Sequence, residues 1–399
     1  MDKASEGKNI SILVIGAGLG GLALAQGLVR SGFKVTVFER DQNPTSRVQG
    51  YRITMRSLGM TALSSLLPAD KMKRLLSKAK ISDVGDGFTF ANEKMQPLLK
   101  IPPGQDAAVQ FLRSELRKLL QEDIHIEWNK RLVSIEDKNH QVIAHFEDGS
   151  HTMGDFLIGC DGGSSTVREL LPSVCGAGSI PKVVDVDGVV FTAQVDRTPE
   201  WESLLPLNHM GMVRFLGPGS NYMGICFSER ADRSPTVFWG ITEKIKNRNA
   251  SWFQFDENLE CRKKILAHCK ELIQNEPWHD VLKKLVNSTP AEAILIPWVF
   301  RSTQFSDEPT QFPMAPSGRV TLLGDAAHVM PPGQGLGGSH VLEDARLLTE
   351  LLTASPKPMD WPRLTERYER QMVTRARKVV HESNNTDEAH SRIRLIPHL

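Results

Sequence analysis

Little in this chain is in excess. Lys and Arg number 48 against 47 Asp and Glu, a net charge of +1. No basic surplus points to nucleic acid, and there is no acidic tail. The one local cluster, "RARKVV" from Arg375 to Val380, reads as the solvated face of a helix. Cysteine is sparse. Cys160, Cys175, Cys226, Cys261 and Cys269 are scattered, with no Cys-x-x-Cys pair and no Cys/His metal spacing. That argues against a disulfide framework or a zinc site, so reduced thiols and no metal are expected. Long apolar runs are missing as well. The longest are strand-sized, so no membrane-spanning helix is expected. The polar start "MDKASEGKNI" has no signal-peptide core, which makes a cytoplasmic protein the expectation. Internal repeats and low-complexity linkers are absent too.

What is present is an ordinary globular composition, 40% apolar and 24% charged, over 399 residues. That length is generous for one core and favours two domains. The chain opens with "ISILVIGAGLGGLALAQGLVRSGFKVTVFER". Ile10 to Ile15 is a buried strand, Leu22 to Val29 has helical spacing, and Lys34 to Phe38 is a second strand. Residues 51–80 read as a short strand and helices punctuated by Pro68, and 85–100 as a hairpin. "VQFLRSELRKLLQE", Val109 to Glu122, reads as an amphipathic helix entered at Arg113-Ser114. Short strands follow up to Phe156–Ile158. From about 180 to 300 the texture changes to period-two alternation, as in an antiparallel sheet. Val320 to Leu323 returns to a buried strand, Val341 to Leu352 is helical, and the last 35 or so residues read as one long helix.

Three motifs carry chemistry. Gly16-Ala17-Gly18-Leu19-Gly20-Gly21 fits GxGxxG between a strand and a helix. Gly16 permits the tight turn, Gly18 lets a pyrophosphate approach, and Gly21 allows close packing. Glu39 ends the second strand, where a carboxylate accepts bonds from ribose hydroxyls and repels a 2′-phosphate. A glycine-rich turn without ligand is the bland alternative, and the complete strand–helix–strand–acid context argues against it. The motif alone does not separate NAD from FAD. The second motif, "DFLIGCDGGSSTVREL", places Asp161-Gly162 after a strand and Arg168 inside the next helix; by itself it also reads as an ordinary capped turn. The third, "VTLLGDAAHVMPPGQGLGG" from Val320 to Gly338, sets Asp325 at a strand's C-terminal edge, where doubly wound sheets bind ligands.

Together with "FLRSELRKLL" and "EDARLL", these motifs resemble the class A FAD-dependent monooxygenases, the p-hydroxybenzoate hydroxylase-like family. The "VFER" and "VFWGIT" segments look closest to tetracycline-inactivating and fungal tailoring members. The resemblance implies a Rossmann-like, three-layer α/β FAD domain built from residues 1–80, 101–180 and 300–355. It implies an inserted antiparallel-sheet substrate domain (81–100 and 181–299) and a C-terminal helical segment (356–399). Gly16, Gly18 and Gly21 would hold the FAD pyrophosphate and Glu39 the adenosine ribose. Arg40, Arg47, Gly50 and Arg113 would add contacts along the phosphate–ribose region, though Arg47 and Arg113 also read as surface or capping residues. Asp325 would bind the ribityl chain or pyrophosphate. Pro332, Gly335, Gly337 and Gly338 would face the isoalloxazine. Asp161 and Arg168 would serve FAD packing and a transient NAD(P)H. In that chemistry the reduced flavin takes up O₂ as a C4a-hydroperoxide and passes one oxygen atom to an aromatic or natural-product-like substrate, by hydroxylation or epoxidation. No protein nucleophile is needed, and His328 reads as structural.

One departure stands out. Where the family reads P-x-x-G-Q-G-x-N, an ungapped match puts Leu336 at the Gln position and Ser339 at the Asn position, with His340 next. That keeps an FAD oxidase, dehydrogenase or cyclase open as the alternative. Substrate candidates between flavin and inserted sheet are Tyr51, Arg52, Arg214, Tyr222, Phe238 and Trp239. Alternation puts Phe238 and Trp239 on opposite faces, so at most one lines a pocket, and core packing is open for both. Arg214 either anchors a phenolate or carbonyl or faces water. A mostly apolar small molecule is the expected partner, with O₂, and the protein is expected to be a monomer or weak dimer.

Overall fold

A computed structural model describes residues 10–46, 52–79, 88–101, 109–138, 140–175, 180–205, 211–218, 221–230, 232, 234–245, 258–305 and 312–395. Arg47, Gly50 and Tyr51 lie outside the described residues.

The first unit forms as its pattern predicts: β1 (Ser11–Ile15), α1 (Leu19–Arg30) and β2 (Lys34–Phe38). Next come β3 (Arg52–Met55), α2 (Ser57–Leu66) and α3 (Ala69–Ala79), then the hairpin β4 (Phe88–Asn92) and β5 (Pro97–Ile101). In the stretch from Val109 the helix enters at Arg113, as expected, but the residues before it are a correction. These four residues are β6 (Val109–Leu112), and α4 (Arg113–Gln121) starts only at Arg113. The reason is a waiting edge: β6 pairs antiparallel with β3 and buries Phe111 and Leu112. Then follow β7 (Ile126–Glu127), β8 (Leu132–Lys138), β9 (Gln141–Phe146), β10 (His151–Gly154), β11 (Phe156–Gly159) and α5 (Thr166–Cys175).

The alternating region forms β12 (Lys182–Asp196), α6 (Pro199–Leu204), β13 (Met212–Leu216), β14 (Tyr222–Glu229) and β15 (Pro235–Glu243). After α7 (Leu259–Gln274) and α8 (Asp280–Asn287) come β16 (Trp298–Gln304), β17 (Val320–Leu322), α9 (Asp325–His328) and α10 (Gly337–Ala354). The single long terminal helix is a second correction. It divides into α11 (Trp361–Asn384) and α12 (Thr386–Arg394), because Asn385 leaves helical geometry at φ −97°, ψ 29°.

Two main sheets result. Five parallel strands run in the order β17-β11-β1-β2-β7, and β17, β11 and β1 are almost wholly buried, as their apolar runs require. Seven strands run β16-β12-β15-β14-β13-β4-β5, antiparallel except for β13 with β4. The hairpin β4–β5 thus joins the inserted sheet, far away in sequence. β16 straddles the boundary expected at residue 300 and pairs with β12, so the whole strand lies in the antiparallel sheet. Each sheet has its own apolar core, the second including Phe191, Trp239 and Trp278.

Candidate FAD and substrate site

A cavity of about 740 Å³ lies between the two sheets. One wall is the C-terminal edge of the parallel sheet, with Gly18, Leu19, Gly20, Cys160 and Asp325. The opposite wall is the inserted sheet and α12.

The first motif separates its glycines by function. Gly16 has φ +109°, and a Cβ there would lie 2.5 Å from the Cys160 carbonyl oxygen. At Gly21 a Cβ would meet the Gly16 oxygen at 2.1 Å. Both are demanded by the fold itself. At Gly18 the nearest atom to a Cβ is 3.9 Å away, and at Gly337 it is Asp325 Oδ1, also at 3.9 Å. Both of these bare positions face the cavity, which is the arrangement a closely approaching ligand needs. The N-terminus of α1 supplies free N–H groups beside them. The residues therefore fit a dinucleotide.

Glu39 is buried at the end of β2, and its carboxylate accepts from Ala17 N at 2.8 Å and Asp41 N at 3.0 Å. It braces the motif loop from below. Arg40 is exposed and does not line the cavity. Arg113 does line it, at the start of α4. Arg117, one turn further on, was not singled out from sequence. It is buried and donates to Ala17 O at 3.0 Å and Pro44 O at 3.1 Å, tying α4 to the motif loop. Its only sequence signal was a basic residue on a helix face otherwise apolar.

Asp161 accepts from Ser165 Oγ at 2.5 Å and Val167 N at 3.1 Å, capping α5. Burial raises its pKa against those bonds. Arg168 donates to Ala326 O and Gly163 O, each at 2.8 Å. It thereby stitches the second motif to the third. Asp325 opens to the cavity while protein crowds round it. That surrounding protein raises its pKa, and the charges of His328 and Arg113 oppose the rise.

Behind Asp325 lies a buried polar cluster. Asp344 accepts from Gly324 N at 2.9 Å, bonds His328 Nε2 at 2.6 Å, and also receives Arg375 Nη2. Burial alone would raise the Asp344 pKa, but His328 and Arg375 outweigh it and lower it. Burial likewise opposes charge on His328, and Asp344 overcomes it. His328 is thus a bracket for the turn at Gly324. His340, in the same region, is pushed down to about 4 by burial and Arg375.

The departure at Leu336 and Ser339 has a structural account. Leu336 packs with Met330, Val379 and Val380 in a small apolar cluster against α11. Ser339 is buried, and its Oγ accepts from Arg56 N at 3.0 Å. Gln334 Nε2 reaches Glu382 O at 2.5 Å, a second tie to α11. The loop is held from outside by the C-terminal helices.

On the opposite wall stand Phe88, Phe90, Leu99, Met212, Phe238 and Ile393. Arg214 sits among them. It donates to Gly333 O, lies 3.4 Å from His390 Nε2, and faces the rings of Tyr222, Phe88 and Phe90 at 4.7, 5.4 and 5.9 Å. Burial lowers its pKa, though a guanidinium stays charged. His390, another residue sequence reading missed, is pushed down to about 3 by burial and Arg214, so it is neutral. Arg52 lines the cavity; Tyr222 lies behind Arg214, beside a smaller cavity of about 230 Å³. Trp239 is a correction. It points into the second core, with Nε1 donating to Thr289 Oγ1 at 3.1 Å, because its neighbour Phe238 takes the cavity face.

Comparison with known proteins agrees with this geometry. The family model described as "FAD binding domain" matches residues 9–383. FAD-dependent monooxygenase cctM of Talaromyces islandicus is 30% identical over 352 residues, 86% of this chain and 82% of the relative. FAD-dependent monooxygenase thnD of Trichoderma harzianum is 28% identical over 348 residues, again 86% and 82%. Among solved structures, Klebsiella pneumoniae HpxO, crystallised with FAD and uric acid, superposes with TM-score 0.75 at 20% identity, covering 97% of this chain and 90% of that one, and shows the shared fold. The chain belongs to the FAD-binding-domain family and is a class A FAD-dependent monooxygenase.

Proposed function

We propose that the protein is an NAD(P)H-dependent monooxygenase that inserts one oxygen atom from O₂ into an aromatic or natural-product-like molecule, by hydroxylation or epoxidation. FAD, once bound and reduced, supplies the activation of oxygen. The chain's own residues bind, orient and exclude water. Gly18 and the α1 N-terminus receive the pyrophosphate, with Arg113 nearby, and Asp325 receives the ribityl region. Pro332, Gly335, Gly337 and Gly338 present backbone to the ring. Glu39 acts through the motif loop it braces. Arg168 joins the loops on either side of the cofactor, and any part it plays with NAD(P)H runs through that junction.

The observation that carries the reading is the cavity's two unlike walls: bare glycines and a carboxylate on one side, an arginine set in aromatic side chains on the other. The second wall suits a largely apolar, planar substrate with one phenolate or carbonyl oxygen directed at Arg214. Phe238 and Arg52 add to its contacts. The protein is read as cytoplasmic and as a monomer or weak dimer. Among the described residues no helix is long and apolar enough to cross a membrane.

The test is NAD(P)H oxidation that depends on added aromatic substrate, under ¹⁸O₂. One ¹⁸O atom in the product is expected. Oxidised product without added oxygen would instead favour an oxidase, dehydrogenase or cyclase. Peroxide alone with every compound would count against the proposal.

A further inference from the structure

Ser339 stands in the first turn of α10 and is 1% exposed. Its Oγ accepts from Arg56 N at 3.0 Å. Arg56 caps α2 with extended backbone, φ −82°, ψ 173°, and no side-chain bond closes that helix start. The Ser339 hydroxyl therefore fixes the junction of β3 and α2 onto the flavin loop. Space for this contact is made by Gly59, where a Cβ would lie 3.0 Å from both Ser339 Cα and Oγ. A larger side chain at 339 would collide with α2. Next to it, Gly338 admits Ile53, whose Cδ1 would be 2.8 Å from a Cβ there. β3 thus lies directly on the start of α10. The Arg56 side chain lines the cavity, with Nη2 3.4 Å from Gln334 O.

We propose that Ser339 is a positioning residue: by holding the Arg56 backbone it keeps the Arg56 guanidinium beside the loop of Pro332 to Gly337, where its charge favours the reduced form of bound FAD. The inference rests on the reading that this loop faces the isoalloxazine. Reduced flavin carries more negative charge than oxidised flavin, and a fixed cation in a water-poor site acts on that difference strongly. Serine here anchors a neighbouring strand, a task the shape of the α2–α10 crossing permits only to a small residue.

The experiment is the two-electron reduction potential of bound FAD in the wild-type holoenzyme, Ser339→Ala, Arg56→Ala and the double variant, with FAD content measured alongside. Arg56→Ala should lower the potential, and Ser339→Ala should lower it by the same amount or less. The double variant should sit no lower than Arg56→Ala, since both changes act through one charge. A wild-type potential in Ser339→Ala, or a double variant lower by the full sum, overturns the proposal. If Ser339→Ala does not retain FAD, Ser339→Gly is judged by the same criterion. A wild-type protein that takes up no FAD would defeat the underlying reading instead, and FAD content shows which has failed.

Discussion

Gly16 and Gly18 lie two positions apart and are bare for different reasons. A methyl group at Gly16 meets the Cys160 carbonyl at 2.5 Å on a left-handed backbone, so Gly16→Ala should lower the melting temperature of the apoprotein itself. Gly18 has φ −76° and open space, so Gly18→Ala should leave the apoprotein melting temperature unchanged while weakening FAD by roughly tenfold or more, about 1.4 kcal/mol. Calorimetry of the apoprotein and a fluorescence titration with FAD separate the two. Arg214→Met should raise KM for substrates bearing a phenolate or carbonyl oxygen by roughly ten- to a hundredfold, the worth of a charge-assisted bond, with the FAD spectrum unchanged. Arg214→Lys should recover only part, because an ammonium lacks the planar fork. A KM unchanged in Arg214→Met would remove this residue from the substrate site. At this scale the glycine motif was legible in sequence because its spacing is tied to one local turn, whereas Glu39, expected to meet a ribose, turns its carboxylate to Ala17 N and Asp41 N. Arg117 and His390 were not legible, because each becomes functional only through a partner about 100 and 176 residues away. Trp239 and Phe238 show the same limit: alternation separates the two faces without saying which one meets the cavity.

Among the elements, α12 changes most between sequence and structure. Its break from α11 rests on Asn385 and on Thr386 Oγ1, which bonds back to Ser383 O at 2.7 Å. Neither is visible in a helical pattern that runs straight through. The turn brings Thr386, Ala389, His390 and Ile393 to the cavity. It also sets Thr386 against Gly333, where a Cβ would stand 2.6 Å from Thr386 Oγ1. Gly333→Ala should therefore push α12 off the loop, cost about 1–3 kcal/mol, and speed proteolysis near residue 385. Adding Thr386→Ala should restore much of the loss. Equal sensitivity in the single and double variants would show that this contact does not seat the helix. β6 was hidden for a related reason: its four residues run into the helix entered at Arg113, and only the edge of β3 draws them out as a strand.

At the scale of the whole molecule, a buried carboxylate outside the cavity lining bears on stability. Glu369, buried on α11, accepts from Met314 N and Thr321 Oγ1, each at 2.7 Å. Burial outweighs both bonds and raises its pKa to about 7 from 4.5. Between those values the native state holds a proton that the unfolded chain has released, so this group's contribution is full below about pH 4.5 and is lost as pH rises through 7. Stability should fall by at most roughly 2–3 kcal/mol between pH 5 and 8 on this account. Melting curves of Glu369→Gln should be flatter across that range, and an unchanged slope would exclude Glu369 as its source. The parallel order β17-β11-β1-β2 has a different consequence, in time. The cofactor's wall needs strands ending at residues 15, 159 and 322. At a synthesis rate of roughly 5–20 residues per second, the last of them leaves the ribosome about 15–60 s after the first. Until then the apolar edge of β11 has no neighbour on that side and Asp325 does not yet exist, so flavin can be captured only after residue 325 has emerged. A cell short of flavin would then hold chains that have folded as apoprotein and take up the cofactor later.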